Sequence, residues 1–456
     1  MRTAQRTARR GISLAAAIAL LACCVSLIAI PGDDKSLTSR PPMGWNSWDS
    51  YGTAVREEQV KANADAMARK LLRYGWQYIV VDIQWYEPNA GGHDYRVGAP
   101  LTMDEYGRLL PAPNRFPSAS GGAGFKNLAA FVHGEGLKFG IHIMRGIPRQ
   151  TVEQNLPIFG TSYHADEIAD RKNVCEWNQD MYGVDVEKPG AQAYYDSIVA
   201  LYASWGVDFI KADDMSRPYD LRAPEVHALS SAIRKSGGSI ILSLSPGPAP
   251  IADAADLRAN AQMWRISDDF WDDWKLLKQQ FDYTRDWAPY IGKDDTWPDA
   301  DMLPLGKLRI TDKNGAPQQT RFTPDEQQTL MTLWSTFRSP LIFGGDLPSA
   351  DAATLALLTN REVLDVDQNS SDNRQILERG NVRAWLADAP GGKDKYVAVF
   401  NLGDAAETTR LDWTELGIQS VDPPLRDLWR HKNLGRQQHL DLTLRPHASA
   451  LYRVSQ

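Results

Sequence analysis

At 456 residues, 43% of them hydrophobic, the chain carries enough apolar material for one large domain and a smaller one, which excludes a disordered polypeptide. A net charge of −7 with no basic stripe excludes a nucleic-acid partner, because phosphate binding needs clustered Lys and Arg. Fifteen Trp, whose flat apolar faces fill cores and also stack on the C–H faces of sugars, fit a neutral carbohydrate ligand instead.

Arg2, Arg6, Arg9 and Arg10 precede an uncharged run over residues 12–30, the layout of an export signal spanning 1–32. Within it Leu20-Leu21-Ala22-Cys23 resembles a lipobox, which would make Cys23 a lipidated first residue. Cys23 and Cys24 read equally well as apolar members of the run, and its length also allows an uncleaved anchor. The expectation is an exported protein (periplasmic, secreted or lipoprotein-anchored) whose membrane attachment, if any, runs through this segment alone. Cys175 then remains as the one thiol of the folded body, unable to form an internal disulfide and read as a buried spectator.

From residue 38 to 376 short β-rich runs alternate with longer amphipathic stretches, the mark of βα units and a parallel sheet. The spacing predicts strands over 43–48, 78–85, 139–144, 207–213, 239–245, 262–269, 302–305 and 341–343. Helical patterns fall over 57–72, 191–205, 223–235, 271–284 and 323–337. Eight units in this length make a (β/α)8 TIM barrel. From 377 to 456 the rhythm changes to short alternating segments broken by Gly, Asp and Asn, which predicts a C-terminal antiparallel β-sandwich. No Walker or dinucleotide fingerprint is present, and no metal or organic cofactor is implied.

Working groups of a TIM barrel stand at the carboxyl ends of its strands, and acidic residues recur there. Strand two ends in Asp82, strand four in Lys211-Ala212-Asp213-Asp214, and strand six in Arg265-Ile266-Ser267-Asp268-Asp269. Alternation puts Lys211 and Asp213 on one face and Ala212 and Asp214 on the other; the same parity groups Arg265, Ser267 and Asp269. If the Lys-bearing face looks into the barrel mouth, Asp213 and Asp269 are the inward pair. Two carboxyl groups across a sugar pocket are the equipment of glycoside hydrolysis. Lys211 would hold Asp213 ionised as nucleophile, and the charge of Asp213 would help Asp269 keep a proton as general acid and later base. Asp49, Asp214 and Asp268 read as caps or supporting groups. Trp45, Trp48, Trp85 and Trp264 lie at or near strand ends, readable as core or as sugar platforms, and His142 with Arg145 as a lumen-facing pair or as structural residues.

These residues resemble glycoside hydrolase family 27, which contains α-galactosidases and α-N-acetylgalactosaminidases. Pro41-Pro42-Met43-Gly44-Trp45-Asn46-Ser47-Trp48 is similar to its first strand, Lys211-Ala212-Asp213 to its nucleophile segment, and Trp264-Arg265 with Asp269 to its acid/base segment. Pro298-Asp299-Ala300-Asp301-Met302-Leu303 and Arg338-Ser339-Pro340-Leu341 resemble strands seven and eight, and Val397-Ala398-Val399-Phe400-Asn401 the closing sandwich. The resemblance implies a retaining exo-glycosidase that removes terminal α-D-galactosyl residues from oligo- or polysaccharides through a covalent glycosyl-aspartate, with Trp48, Asp82, Lys211, Ser245 and Arg265 binding the sugar.

Three departures bear on the substrate. Typical α-galactosidases carry two successive Asp at the end of strand two; here Ile83 follows Asp82. Strand five ends in Ser245, as in the N-acetylgalactosaminidases, where galactosidases tend to have Glu. Met215 stands where the family has a disulfide-forming Cys. The same mechanism on α-N-acetylgalactosamine, β-L-arabinopyranose or an isomalto-linked glucan is therefore the alternative, with a non-catalytic carbohydrate-binding protein more remote. The insertion over 87–114, containing Tyr95 and Arg96 and preceded by Tyr86, would supply contacts replacing those lost.

Overall fold

The computed structural model describes residues 37–312 and 318–456. The segment read as an export signal lies outside them, and no helix among the described residues is long and apolar enough to cross a membrane. Eight βα units follow in order. Strands β1 (Met43–Asn46), β2 (Tyr78–Val81), β3 (Lys138–Met144), β4 (Phe209–Asp213), β5 (Ile241–Leu244), β6 (Met263–Arg265), β7 (Trp297–Asp299) and β8 (Leu341–Phe343) form one parallel sheet. After them come helices α1 (Glu57–Lys70), α2 (Lys126–Gly134), α3 (Ala191–Trp205), α4 (Tyr219–Lys235), α5 (Ala254–Asn260), α6 (Trp274–Trp287) and α7 (Pro324–Phe337), with α8 (Ala352–Thr359) and α9 (Arg361–Asn369) following β8.

Strand alternation decides what fills the barrel. Tyr78 and Val80 of β2, Phe209 of β4, Ile241 of β5, Met263 of β6 and Trp297 of β7 pack together as an inner plug at the amino-terminal end. Their outward neighbours, such as Ile79, Ile210, Leu242 and Trp264, join the larger core against the helices. Two residues further along each strand the inward positions become Asp82, Lys211, Ser243, Arg265 and Asp299. The barrel is thus apolar at its base and charged at its carboxyl end, which is where loops and ligands meet.

The seventh strand differs from the sequence expectation. The segment hydrogen-bonded to β6 is Trp297–Asp299, not 302–305. Pro298 hides it, because proline reads as a strand breaker. It is tolerated because Trp297 N–H and the Asp299 carbonyl bond to β6, while Pro298 points its missing donor to the other edge. On that edge Leu303 alone bridges to Phe343 of β8 and closes the barrel.

The second sheet starts at Ser371. Its order is β9 (Ser371–Arg379), β10 (Val382–Asp388), β11 (Lys395–Asn401), β16 (Ser449–Val454), β13 (Pro424–Asp427) and β14 (Lys432–Arg436); β12 (Glu407–Asp412) pairs with β15 (His439–Leu444) as a second layer. Val382, Ala384, Leu386, Val397 and Val399 face that layer. Trp385, Ala398 and Phe400 face the barrel, with Trp385 edge-on to Phe337 of α7 and Phe400 edge-on to Phe281 of α6. A sheet covered on both sides has no polar face, which explains the unbroken apolar run in β11.

Gly44 leaves room for β2: a Cβ there would stand 2.6 Å from the Tyr78 carbonyl oxygen and 2.7 Å from its Cβ. Because backbone cannot swing aside, Gly44→Ala is expected to lower unfolding stability by about 1–3 kcal/mol, read as a lower urea midpoint at unchanged slope.

Candidate active site

A cavity of about 320 Å³ opens at the carboxyl end of the barrel and is lined by Trp48, Asp82, Lys211, Asp213, Arg265 and Asp269, all singled out from sequence. Its floor is the inward charged layer. One Asp82 oxygen accepts from Asn46 Nδ2 at 2.7 Å and Lys211 Nζ at 2.9 Å, and the other from the Ile83 N–H at 2.9 Å. Burial alone would raise the Asp82 carboxyl, but Lys211, His142 and Asn46 bring it below the ordinary carboxylate range.

Asp213 ends β4 with its side chain inward. His142 Nε2 lies 2.9 Å from Oδ2, and the Asp214 N–H donates to Oδ1 at 3.0 Å. Burial pushes Asp213 up, yet His142, Lys211 and that N–H outweigh it and bring its pKa down to about 2. Asp269 stands in the mouth. Arg265 Nη2 is 3.3 Å from its Oδ1 and 2.7 Å from Asp301 Oδ2. More than half of its side chain stays open to solvent; the partial burial it has, with the charges of Asp301 and Asp213, raises Asp269 against the lowering by Arg265 and Lys211. The two carboxyl groups of one cavity are therefore driven in opposite directions.

Asp301 and Asp299 complete the charged layer. Asp301 has φ of 83°, held by its N–H to Asp299 Oδ1 at 2.9 Å and by Phe270 N–H donating to its Oδ2 at 2.7 Å. Asp299 is buried, which with Asp301 pushes its carboxyl up to about 7 in spite of Arg265. Asp49, expected as a cap or supporting group, lines the cavity wall, with Oδ2 buried against Gly344 and no hydrogen-bond partner. Burial and Asp301 raise its carboxyl well above the ordinary range.

One expected placement changes, and two that the sequence left open are decided. Ser245 does not line the cavity: it is 1% exposed in a small void beneath the floor, with Lys211, Arg265 and Asp299, and Pro246 forms the wall in its place. Parity turns Ser245 inward, but the chain crosses above it, where Gly247 packs on the Ser267 and Arg265 carbonyls. Arg145 faces away from the lumen, pairing with Asp214 at 2.7 Å and with Glu225 of α4. Asp268 is exposed at the rim, paired with Arg217 at 2.9 Å. Of the four Trp at strand ends only Trp48 reaches the cavity; Trp45, Trp85 and Trp264 are core.

Loops add residues that strand reasoning did not find: His93, Trp177, Trp271, Phe270 and Arg217 also line the cavity. Tyr95 of the insertion stacks on Trp48, with centroids 6.2 Å apart and planes 11° from parallel. Arg96 turns away to Glu87, and Tyr86 donates to Asp180 at 3.1 Å. The insertion is anchored by Gly92, whose carbonyl accepts from the Thr53 N–H at 2.8 Å and the Thr53 hydroxyl at 2.9 Å. Cys175 is buried and free. No group of three or more His, Cys, Asp or Glu with metal-holding geometry occurs among the described residues.

A family model described as "Alpha galactosidase A" matches residues 40–188 and 184–369, and one described as "Alpha galactosidase C-terminal beta sandwich domain" matches 379–454. Curated relatives include "Alpha-galactosidase 2" of Arabidopsis thaliana, 28% identical over 92% of this chain and 91% of its own, and the "Alpha-galactosidase" of Coffea arabica, 30% identical over 86% and 87%. Among solved structures, a β-L-arabinopyranosidase of glycoside hydrolase family 27 from Geobacillus stearothermophilus is 51% identical, with a TM-score of 0.89 over 92% of this chain and 97% of that one. A putative α-N-acetylgalactosaminidase from Bacillus halodurans is 48% identical, with a TM-score of 0.82 over 91% and 97%.

Asp213 leans on the layer behind it. Asp214, next to Asp213, is fixed by Arg145 and by Arg222 at 3.1 Å, and the Arg145 N–H donates to the Asp213 carbonyl at 2.9 Å. Arg145→Met leaves Asp214 with one cation and Glu225 with none, both buried. Chemical denaturation should register a loss of about 3–5 kcal/mol; a loss under about 1 kcal/mol would show that the triad is dispensable.

Proposed function

We propose a function from the premise that the chain belongs to the alpha-galactosidase family, glycoside hydrolase family 27, and is a glycoside hydrolase. It is read as a retaining exo-glycosidase for a terminal pyranose of galacto configuration, with β-L-arabinopyranosides preferred and α-D-galactosides second. Asp213, ionised, attacks the anomeric carbon; the bond to the leaving oxygen breaks, and that oxygen takes the Asp269 proton. Water then gives its proton to Asp269 and its oxygen to the anomeric carbon, releasing Asp213 and restoring the configuration. Asp82, Lys211, Arg265 and Trp48 would bind the ring, the first three as donors and acceptors and Trp48 as an apolar face.

The observation that carries the sugar preference is Ile83. β-L-Arabinopyranose matches α-D-galactopyranose at every ring centre and lacks only the exocyclic hydroxymethyl group. Ile83 lines the cavity where typical α-galactosidases have a second Asp, and an aliphatic side chain cannot accept from a hydroxyl. A sugar without that hydroxyl loses nothing there, whereas galactose forfeits about 1–3 kcal/mol. The 51% identical β-L-arabinopyranosidase supports the same preference. The curated α-galactosidases keep galactose as the second reading. Ser245, beneath the floor, offers no wall to a 2-acetamido group, which leaves α-N-acetylgalactosamine less supported.

Side-by-side turnover of 4-nitrophenyl β-L-arabinopyranoside and α-D-galactopyranoside tests this. The expected kcat/KM ratio favours arabinopyranoside about tenfold or more, and Ile83→Asp should narrow or invert it; equal or better use of the galactoside by the unaltered enzyme would reverse the assignment.

The opposed carboxyl shifts set the pH profile. Asp213 must be charged, so with a pKa of about 2 it costs little activity above pH 4. Asp269 must hold its proton, so kcat/KM falls as pH rises through its raised pKa. Asp269→Ala should abolish that alkaline limb and slow 4-nitrophenyl glycosides about 10²–10⁴-fold, while 2,4-dinitrophenyl glycosides, whose leaving group needs no proton, slow far less. An equal loss on both leaving groups would remove Asp269 from the acid role.

A further inference from the structure

Asp49 lines the sugar cavity yet takes no part in attack or in proton transfer. Gly344 makes the space for its carboxyl group: a Cβ there would stand 1.9 Å from Asp49 Oδ2. The residue is 2% exposed, and Oδ2 is buried without a hydrogen-bond partner. The two cations near enough to act on it are already engaged, Lys211 by Asp82 at 2.9 Å and Arg309 by Asp272 at 2.6 Å. Its other charged neighbours, Asp301 and Asp269, are carboxyl groups like itself. A buried carboxylate in that position has nothing to offset its lost hydration, so the group keeps its proton, in agreement with the upward shift that burial and Asp301 impose.

A neutral carboxylic acid can donate a hydrogen bond as well as accept one. The floor cations already give theirs, Lys211 to Asp82 and Arg265 to Asp301 and Asp269. An uncharged donor adds to them without bringing in a further cation, which would lower Asp269. With Oδ2 walled in by Gly344, the cavity is the open side of the Asp49 carboxyl group. We propose that Asp49 is a specificity-determining residue of the sugar site: its O–H donates a hydrogen bond to the oxygen of one ring hydroxyl of the terminal sugar. The inference rests on the glycosidase reading above. Gly344 belongs to the same arrangement, because it leaves the room that the buried oxygen occupies.

Asp49→Asn retains a donor of nearly the same shape and cannot ionise, whereas Asp49→Leu retains the bulk and removes the donor. With 4-nitrophenyl β-L-arabinopyranoside the Asn variant should stay within about threefold of the unaltered kcat/KM, and the Leu variant should fall about ten- to a hundredfold. Asp49→Ala, too small to press on Gly344, reads the same loss if the Leu variant folds poorly. Monodeoxy analogues, each lacking one ring hydroxyl, identify the contact. For one of them the penalty seen with the unaltered enzyme should shrink about tenfold in the Leu or Ala variant. A purely structural role would lower all the analogues alike and leave every penalty unchanged, and that result overturns the proposal. So does an Asn variant as impaired as the Leu variant, or a loss under about twofold in both Leu and Ala. If the unaltered enzyme hydrolyses neither the arabinopyranoside nor the α-D-galactopyranoside, the functional reading fails separately, and calorimetric titration of L-arabinose and D-galactose decides the role of Asp49. Binding about tenfold weaker in Asp49→Leu supports the contact. Equal binding, or none to the unaltered protein, overturns it.

Discussion

Six carboxyl groups, from Asp49, Asp82, Asp213, Asp269, Asp299 and Asp301, crowd around two cations, Lys211 and Arg265, at the mouth of the barrel. With Asp49, Asp82, Asp299 and Asp301 buried and Asp213 nearly so, the six cannot all ionise beside two cations, so the site must ration its negative charge. Geometry decides which groups keep it. Asp82 holds the Lys211 ammonium and Asp301 the Arg265 guanidinium, while Asp213 is reached by His142 and a backbone N–H. Asp49, Asp299 and Asp269 are left with less favourable partners, and all three are raised. The division into one group fit to attack and another fit to carry a proton follows from this shortage of cations as much as from any single hydrogen bond.

The shortage is kept from deepening by what lies behind the strands. Asp214, adjacent to Asp213, would be a seventh claimant on Lys211 were it turned inward. Strand alternation turns it outward, where Arg145 and Arg222 satisfy it in the core, with Glu225 and Tyr195 extending the network. Asp272, three residues beyond Asp269, is likewise drawn away by Arg309 and Arg321. Each removal spares Lys211 and Arg265 a further competitor, and each depends on a loop or helix residue outside the strand concerned.

That division explains what was legible in the sequence. Placement of Lys211 with Asp213, and their separation from Asp214, needs only the two-residue period of β4, a local property. The apolar base of the barrel obeys the same period, from Phe209 to Met263. Strand β7 escaped because Pro298 reads as a breaker unless one knows that its missing donor faces the edge bridged only by Leu303. Ser245 shows the limit of parity: alternation says inward, but not at which depth, and the chain from Pro246 to Gly247 crosses above it. The edge strands β9 and β14 are polar and exposed along much of their length, so no apolar alternation marks them. Trp177 lies in a segment without any period, and Trp271, read as the start of a helix, precedes α6 in the loop that reaches the cavity.

The two kinds of residue carry two kinds of function. Groups at strand ends are fixed by the hydrogen-bonded sheet and by paired charges buried in it, so they suit chemistry in which misplacement by an ångström is costly. The rim is different: Tyr95, His93 and Trp177 sit on loops held by a few contacts, such as the Gly92 carbonyl on Thr53. Loops of this kind tolerate replacement without disturbing the sheet. The rim can therefore change while Asp213 and Asp269 stay in place. Ile83 occupies the boundary between the two regimes, since it follows Asp82 directly and lines the cavity itself. On the proposed reading, a change there would alter which pyranose fits while leaving the charges of Asp213 and Asp269 in place.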